Sequence, residues 1–456
     1  MSLTSMKVAN RLNTSTPTAI DSDTGKRRTL GVVFMVLFLD LMGFSIIFPL
    51  FPEMLDYYLA GERDHFGILT TIVEQLEHLA PDYVQDPTFF ITVLFGGILG
   101  SLYSILQFTF SPLWGRLSDK IGRKRVLTIT LSFTLVSYLA WVFAGDFWIL
   151  VAARIIGGAM SGNISVATAA ISDITSRENR AKGMALIGIA FGLGFLLGPA
   201  VGGLLSQWDL LATYPGLETW GINRFSAPAM MALLLTAFNL VWLLRKFPET
   251  LSRQTRQQSQ QNVSRIASIF SIRNSNIQLT CWVSFIFMLS FSGMEFTLTF
   301  LAVERFSYTP MQNGLMFVYI GFWLIMTQGV IVRRMAPKIG EKRLATMGIV
   351  CGIIALSILS LLDGKVSFYV ALLFLSLGVG MCSPSLSALV SLYADEETQG
   401  RYLGIFRSAG ALARAIGPFS AAAVYFLAGS KIAYGIGAVM LLVPLFLATR
   451  LPQPEK

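Results

Sequence analysis

The chain has 456 residues, of which 54 % are hydrophobic and only 13 % charged, and its mean hydropathy is +0.63. A water-soluble globule carries about a quarter charged residues, so composition excludes a soluble enzyme or binding module and places the chain in a membrane. With two His (His65, His78) and three Cys (Cys281, Cys351, Cys382), each Cys inside an apolar run, a His-rich metal site and a disulfide scaffold are excluded as well.

A helix needs about 20 apolar residues to cross the hydrocarbon layer. Runs that meet this occupy 29–52, 90–113, 126–144, 147–171, 183–205 and 227–245. After a polar stretch they resume at 276–302, 311–333, 344–362, 366–393, 403–428 and 430–449. The pattern predicts an all-α integral membrane protein with twelve spans; a β-barrel would show short alternating segments. The first run follows 28 polar residues and ends in charge, which argues against a cleaved signal peptide. Residues 53–89 form the longest loop and carry eight acidic residues and both His. They read as a solvated cap, with pH sensing as the alternative.

Lys and Arg set the orientation. Segments 1–28, 114–125, 174–182, 245–275, 333–343, 394–402 and 450–456 hold 27 of the 35 basic residues, against 5 on the other side. Both termini are therefore expected in the cytoplasm. The net charge of +9 sits in short loops beside helix ends and does not indicate nucleic acid. Residues 246–275 are polar and aperiodic and read as a linker. It divides a six-helix bundle at 29–245 from a second at 276–449, with tails at 1–28 and 450–456. The halves repeat each other: Lys120-Ile121-Gly122-Arg123-Lys124-Arg125 returns as Lys338-Ile339-Gly340-Glu341-Lys342-Arg343, and Gly198-Pro199 as Gly417-Pro418, at nearly one offset. A parallel repeat of this kind places a substrate site between the halves near the midplane.

The loop after the second run reads Gly115-Arg116-Leu117-Ser118-Asp119-Lys120-Ile121-Gly122-Arg123, a tight glycine turn with a carboxylate beside basic groups. It resembles the signature loop of the major facilitator superfamily. The resemblance implies a cytoplasmic latch of the outward-open state built from Gly115, Asp119, Gly122 and Arg123; simple orientation by the basic residues is the alternative. The fifth run carries Gly198, Pro199, Gly202 and Gly203 in a GxxxGPxxGG pattern similar to that of the family's antiporters, which implies exchange and a gating role for these residues. Close helix packing is the alternative. In the fourth run, Arg154 lies about 10 Å deep at 1.5 Å per residue, where a cation needs a partner. In the family an arginine in this place goes with proton coupling.

In the first run, Asp40-Leu41-Met42-Gly43 followed by Pro49 and Pro52 resembles the family's tetracycline and multidrug exporters. Asp40 and Glu295 are the acidic residues inside the runs, so they are the candidate proton carriers, with Arg154 tuning them; fixed ion pairs are the alternative. In the eleventh run Arg407 and Arg414 are seven apart and share one helix face. The stretches VLFGGILGSLYSILQF, RIIGGAMSGNIS, GMEFTLTFLAVERF and RSAGALARAIGP are similar to animal members of this exporter group. That resemblance implies transport of organic anions. The guanidinium forks of Arg414 and Arg407 suit the anionic group, and Asn163 and Gln107 are in-membrane polar groups expected to line the path. Permanent pairing of Arg414 with Asp40 or Glu295 is the alternative.

These readings combine into a secondary transporter of amphipathic organic anions working by alternating access, coupled to protons or exchange. It is expected to act as a monomer in the bilayer, at the plasma membrane or an internal one. Efflux of tetracycline-like or cationic drugs is the rival. A non-transporting receptor on the same fold is a third reading, against which the intact latch argues. No nucleotide-binding loop, metal cluster or nucleophile–base pair is found in the sequence, so neither an enzyme nor a cofactor is expected.

Overall fold

The structure, a computed structural model, describes residues 23–63, 68–79, 87–175, 180–251, 272, 274–395 and 399–453. Most of tail 1–28, His65, and most of linker 246–275 lie outside the described residues. The described residues are helical and contain no strand. Eleven segments are long and apolar enough to cross a membrane. The last, Tyr402–Thr449, has 48 residues, long enough for two crossings at 1.5 Å per residue. It breaks at Gly429, whose φ of 78° and ψ of 166° are not helical.

In the first half of the chain the helices are α1 (Asp23–Ser45), α2 (Phe51–Arg63), α3 (Ile68–Leu79), α4 (Pro87–Ile121) and α5 (Arg123–Val142). They are followed by α6 (Phe147–Met160), α7 (Asn163–Ile174), α8 (Arg180–Leu205), the one-turn α9 (Leu210–Thr213) and α10 (Ser226–Lys246). The second half contains α11 (Ser275–Phe306), α12 (Pro310–Met326), α13 (Arg333–Ile339), α14 (Glu341–Ser360), α15 (Lys365–Tyr393), α16 (Gln399–Met440) and α17 (Leu442–Thr449).

Several boundaries differ from the apolar runs, each for a local reason. The first run, 29–52, breaks after Ser45 and passes through a short 3₁₀ turn at Phe48–Leu50, because Pro49 and Pro52 cannot donate to the helix ladder. The stretch 53–89, read as a solvated cap, is helical where described, and Leu55, Tyr58, Leu59 and Val73 are buried. The loop at 114–125 shrinks to Gly122 alone, since α4 runs on to Ile121 and α5 starts at Arg123. The fourth run splits at Ser161–Gly162, where Trp114 Nε1 donates to the Ala159 carbonyl at 2.7 Å and its ring leaves no room for a side chain at Gly162. Between α12 and α13, Thr327–Val332 form a π-helical turn.

The repeat of the sequence recurs in the backbone and its bonds. Gly122 and Gly340 both have positive φ, 107° and 83°, which only glycine adopts at little cost. Lys124 Nζ donates to the Leu244 carbonyl at 2.9 Å, and Lys342 Nζ to the Thr449 carbonyl at 3.0 Å. Thr128 and Thr346 donate to the carbonyls of those same two lysines, at 2.9 and 3.0 Å.

The two halves of the chain meet through α4 with α16 and α8 with α12, on the face opposite the basic segments. A Cβ added at Gly97 would lie 3.0 Å from the Pro418 carbonyl oxygen, and one at Gly100 2.8 Å from the Phe296 ring. Phe419 N donates to Ser101 Oγ at 2.8 Å. A Cβ at Gly203 would lie 2.6 Å from the Pro310 carbonyl oxygen, and one at Gly321 2.8 Å from Leu196 Cβ. Aromatic contacts close the same face, with Phe51 edge-on to Phe296 at 5.4 Å and Phe48 tilted against Phe317 at 6.4 Å. Toward the basic face these helices diverge. A Cβ at Gly188, Gly192, Gly329 or Gly404 would meet no atom within 4 Å. The α16 stripe whose far end packs at Gly417 and Pro418 is exposed at Gly404, Arg407, Ser408 and Arg414. A cleft therefore opens between the halves toward the basic face and is shut at the other.

Candidate functional site

The ionisable residues singled out in the sequence fall into two clusters, one from each half of the chain. In the first, Asp40 of α1 is half-buried and accepts from Asn163 Nδ2 at 3.0 Å. Asn163, 1 % exposed, opens α7 just past the break in the fourth run, and its Oδ1 accepts from Thr130 Oγ1 of α5 at 2.5 Å. Asn163 is thus committed to Asp40 and Thr130 and enclosed away from the cleft. Asp40 and Arg154 both act electrostatically on the hydroxyls of Tyr103 and Tyr138.

Arg154 is 4 % exposed, and its partners are rings. Its guanidinium lies 5.2 Å from the Trp141 ring centre and 5.9 Å from that of Tyr103. A desolvated cation over an aromatic face gains about 2 kcal/mol or more, while Arg154 Nε stays without a hydrogen bond. Phe44, one turn beyond Asp40, stacks on Tyr103 at 4.8 Å. Gln107, one turn along α4 from Tyr103, is half-buried on the way to the basic face.

The second cluster lines the cleft. Arg414 is exposed in the middle of α16, and Arg407 lies two turns nearer the basic face on the same stripe. Glu295 of α11 is half-buried and close enough to Arg414 for the charges to act on each other. Among the described residues, neither arginine has an acidic partner within 4 Å. In this arrangement Arg414 makes no ion pair within 4 Å to Asp40 or Glu295. Two guanidinium groups on an accessible wall, one beside a carboxylate, present forks that match carboxylate, sulfate or phosphate oxygens.

The signature-loop residues form a network within the first half. Arg123 is buried; it donates to Asp119 Oδ1 and Ser118 Oγ, both at 2.6 Å, and to Asp173 Oδ2 at 2.9 Å. Its backbone N–H donates to Glu249 Oε1 at 2.8 Å, and Thr250 Oγ1 reaches Asp173 at 3.1 Å. Gly115 faces Ser165, with 2.9 Å from an added Cβ to its hydroxyl. With the cleft open at this face, every one of these bonds stays on the first half's side.

Gly194, Gly198 and Gly202 of α8 seat α1 directly. A Cβ at Gly194 would lie 2.7 Å from Leu41 Cβ, and one at Gly198 2.5 Å from the Met42 carbonyl oxygen. Ser45 Oγ donates to the Gly194 carbonyl at 2.9 Å. The Pro199 carbonyl faces Gly314 of α12, 2.7 Å from a Cβ built there. The packing alternative for this motif thus has a clear physical basis, and the motif also borders the α8–α12 seam that shuts the cleft.

Four features escaped sequence reasoning. Thr130 and the ring pair Tyr103/Trp141 act through tertiary proximity, which periodicity cannot reveal. Glu249 lies just past the sixth run and looked like linker. Glu304 sits two residues beyond the seventh run, yet α11 carries it into a cluster at the Gly429 kink. There it accepts from Tyr425 and, at 2.9 Å, from Ser430 Oγ, with Arg305 Nε 3.4 Å away. The polar residues at 304–308 hid the fact that the helix continues.

A multi-pass membrane protein with an internal repeat, a one-sided cleft and charged groups lining it is a transporter in architecture, not an enzyme. Residues 33–418 match the sequence profile of the Major Facilitator Superfamily, and the chain belongs to that family. It is similar to human Major facilitator superfamily domain-containing protein 10, 33 % identical over 451 residues that cover 94 % of each chain. It is also similar to the class E tetracycline resistance protein of Escherichia coli, 26 % identical over 403 residues, 87 % of this chain and 88 % of that one. Among solved structures, the crystal structure of the human organic anion transporter MFSD10 (TETRAN) superimposes with a TM-score of 0.71 at 32 % identity. The match covers 93 % of this chain and 99 % of that one.

Proposed function

We propose that this protein is a twelve-span, two-bundle secondary transporter of amphipathic organic anions, coupled to protons, and that the structure represents its cytoplasm-open state. The Gly429 break divides Tyr402–Thr449 into the eleventh and twelfth spans. The excess of Lys and Arg on the open face supports a cytoplasmic placement of that face and of both termini. The two bundles at 29–245 and 276–449 rock about the α4–α16 and α8–α12 seams, and Asp119, Arg123 and their glycines latch the basic face when it closes.

The observation that carries the anion reading is the accessibility of Arg407 and Arg414 on the cleft wall with no acidic partner within 4 Å among the described residues. An anionic group bound at Arg414 competes with ionised Glu295 for the same guanidinium. A proton on Glu295 removes the competitor, so proton and anion load together, and loss of the proton expels the anion. Gln107 contributes a polar wall, Asp40 carries a second proton, and Arg154 holds the ring pair beside it. The 32 % identity to a structure described as an organic anion transporter supports the same substrate class.

The test is uptake by the full chain in proteoliposomes under an imposed pH gradient, with a fluorescent aryl carboxylate and a quaternary ammonium as probes. Charge-assisted hydrogen bonds are worth about 1.5–3 kcal/mol, so Arg414→Ala should cut carboxylate uptake at least about tenfold, and Arg414→Lys should restore part of it. Carboxylate uptake that survives Arg414→Ala, with loss of ammonium transport, overturns the anion reading in favour of a tetracycline-like cation exporter.

A further inference from the structure

We infer that the side-chain amide of Asn163 is a two-position relay that follows the proton on Asp40, with the Thr130 hydroxyl as its pivot. The inference rests on the proposal that Asp40 carries a proton. In the observed arrangement Thr130 Oγ1 donates to Asn163 Oδ1 at 2.5 Å, and Asn163 Nδ2 donates to Asp40 Oδ1 at 3.0 Å. An amide oxygen only accepts and an amide NH₂ only donates. This orientation therefore serves Asp40 as a carboxylate.

A proton placed on Asp40 Oδ1, the oxygen that faces the amide, would meet a second donor in this orientation. The amide meets that by half a turn about its terminal bond, offering its oxygen to Asp40 and its NH₂ to Thr130. Thr130 can accept there because its own proton has other acceptors within reach, the Val126 carbonyl at 3.0 Å and the Leu127 carbonyl at 3.2 Å. Both orientations occupy the same space, since the amide N and O are nearly alike in size. Asn163 Oδ1, Asn163 Nδ2 and Thr130 Oγ1 each keep a partner in both states.

Burial makes this matter. Thr130 and Asn163 are fully enclosed, so water does not fill a missing bond, and an orphaned amide atom there is costly. The titratable and charged groups around Asp40 are Tyr103 of α4, Tyr138 of α5 and Arg154 of α6. Arg154 is held over rings, so it does not substitute for the amide. Asn163 is the first residue of α7, next to the break with α6. The relay thus hands the protonation state of α1 to α5 and to that break.

Infrared difference spectra of the full chain in lipid, between about pH 4 and pH 9, test this. Asp40→Ala identifies the Asp40 carboxyl band. The amide C=O band is assigned from the Asn163→Leu difference. In the parent protein both should change with one midpoint, and in Asp40→Ala both changes should vanish. Asn163→Leu should raise the Asp40 midpoint by about one pH unit, because the carboxylate loses a charge-assisted donor. Thr130→Val should shift the amide band at the alkaline end only, where Thr130 donates to it, and Thr130→Ser should match the parent. Asp40 titrating with a static amide band, or a Thr130→Val shift equal at both ends, overturns the relay while leaving proton carriage standing. Absence of any Asp40 titration overturns both.

Discussion

Gly97→Ala tests whether the α4–α16 seam is what holds the protein open on one side and shut on the other. In the observed state the new methyl group would lie 3.0 Å from the Pro418 carbonyl oxygen, 3.5 Å from Phe419 Cα and against Ala422 Cβ. Two of these neighbours are backbone, so the strain is not relieved by a side-chain swing. Overpacking of this kind costs about 1–3 kcal/mol. The seam joins the two halves of the chain, and any state in which the cleft opens at this face must part it, so the cost falls on the observed state alone. The equilibrium should shift toward the opposite opening by about 5- to 150-fold. Labelling of Ser101→Cys by a membrane-impermeant maleimide reads this directly, because the native Cys281 and Cys382 are buried and Cys351 is half-buried. Gly404→Ala is the matched control, since a Cβ there meets no atom within 4 Å. If Gly97→Ala folds and labels at the parental rate, the seam does not set the equilibrium and the alternating-access scheme built on it fails.

Further outcomes follow from the signature-loop network and the repeat. Removing one partner of a buried ion pair costs about 3–5 kcal/mol when nothing replaces it. Arg123 keeps Asp119 and Ser118, so Asp173→Ala should cost about 2 kcal/mol and lower the thermal unfolding midpoint in detergent. Asp119, whose side chain is 41 % exposed, should cost less when replaced by alanine; the reverse order would contradict the burial argument. Gly122→Ala and Gly340→Ala should each destabilise by about 1–3 kcal/mol, the cost of holding a non-glycine residue in such backbone. If only one of the two is costly in thermal unfolding, the repeat is not mechanically equivalent at the turn that most clearly marks it.

Most of the architecture was legible because bilayer physics is severe. Long apolar runs, basic segments on one side and a repeated Lys-Ile-Gly turn are properties of the chain order itself, and they led to the membrane class; the family came from the resemblance of the Gly115–Arg123 loop to a known signature. Helix ends were less legible: α4 extends through polar residues to Ile121, and α11 carries Glu304, because backbone hydrogen bonding continues past the hydrocarbon edge wherever no proline or glycine stops it. Arg154 shows the limit more sharply. Its depth in the fourth run demanded a partner, but one-dimensional spacing could not show that the partner is a pair of rings, Tyr103 and Trp141, on two other helices.

What the sequence determined alone was the solvent of this protein, the number and spacing of its apolar runs, and the identity of its few in-membrane charges, since each follows from transfer energies of individual segments. The tertiary structure decided which charges meet: Asp40 with Asn163 and Thr130, Glu295 with Arg414, Arg123 with Asp173. It also decided on which face the cleft opens. Those outcomes depend on how glycine-lined helix surfaces interlock at one end and part at the other, and close packing is a property of pairs of surfaces that no single stretch of chain contains.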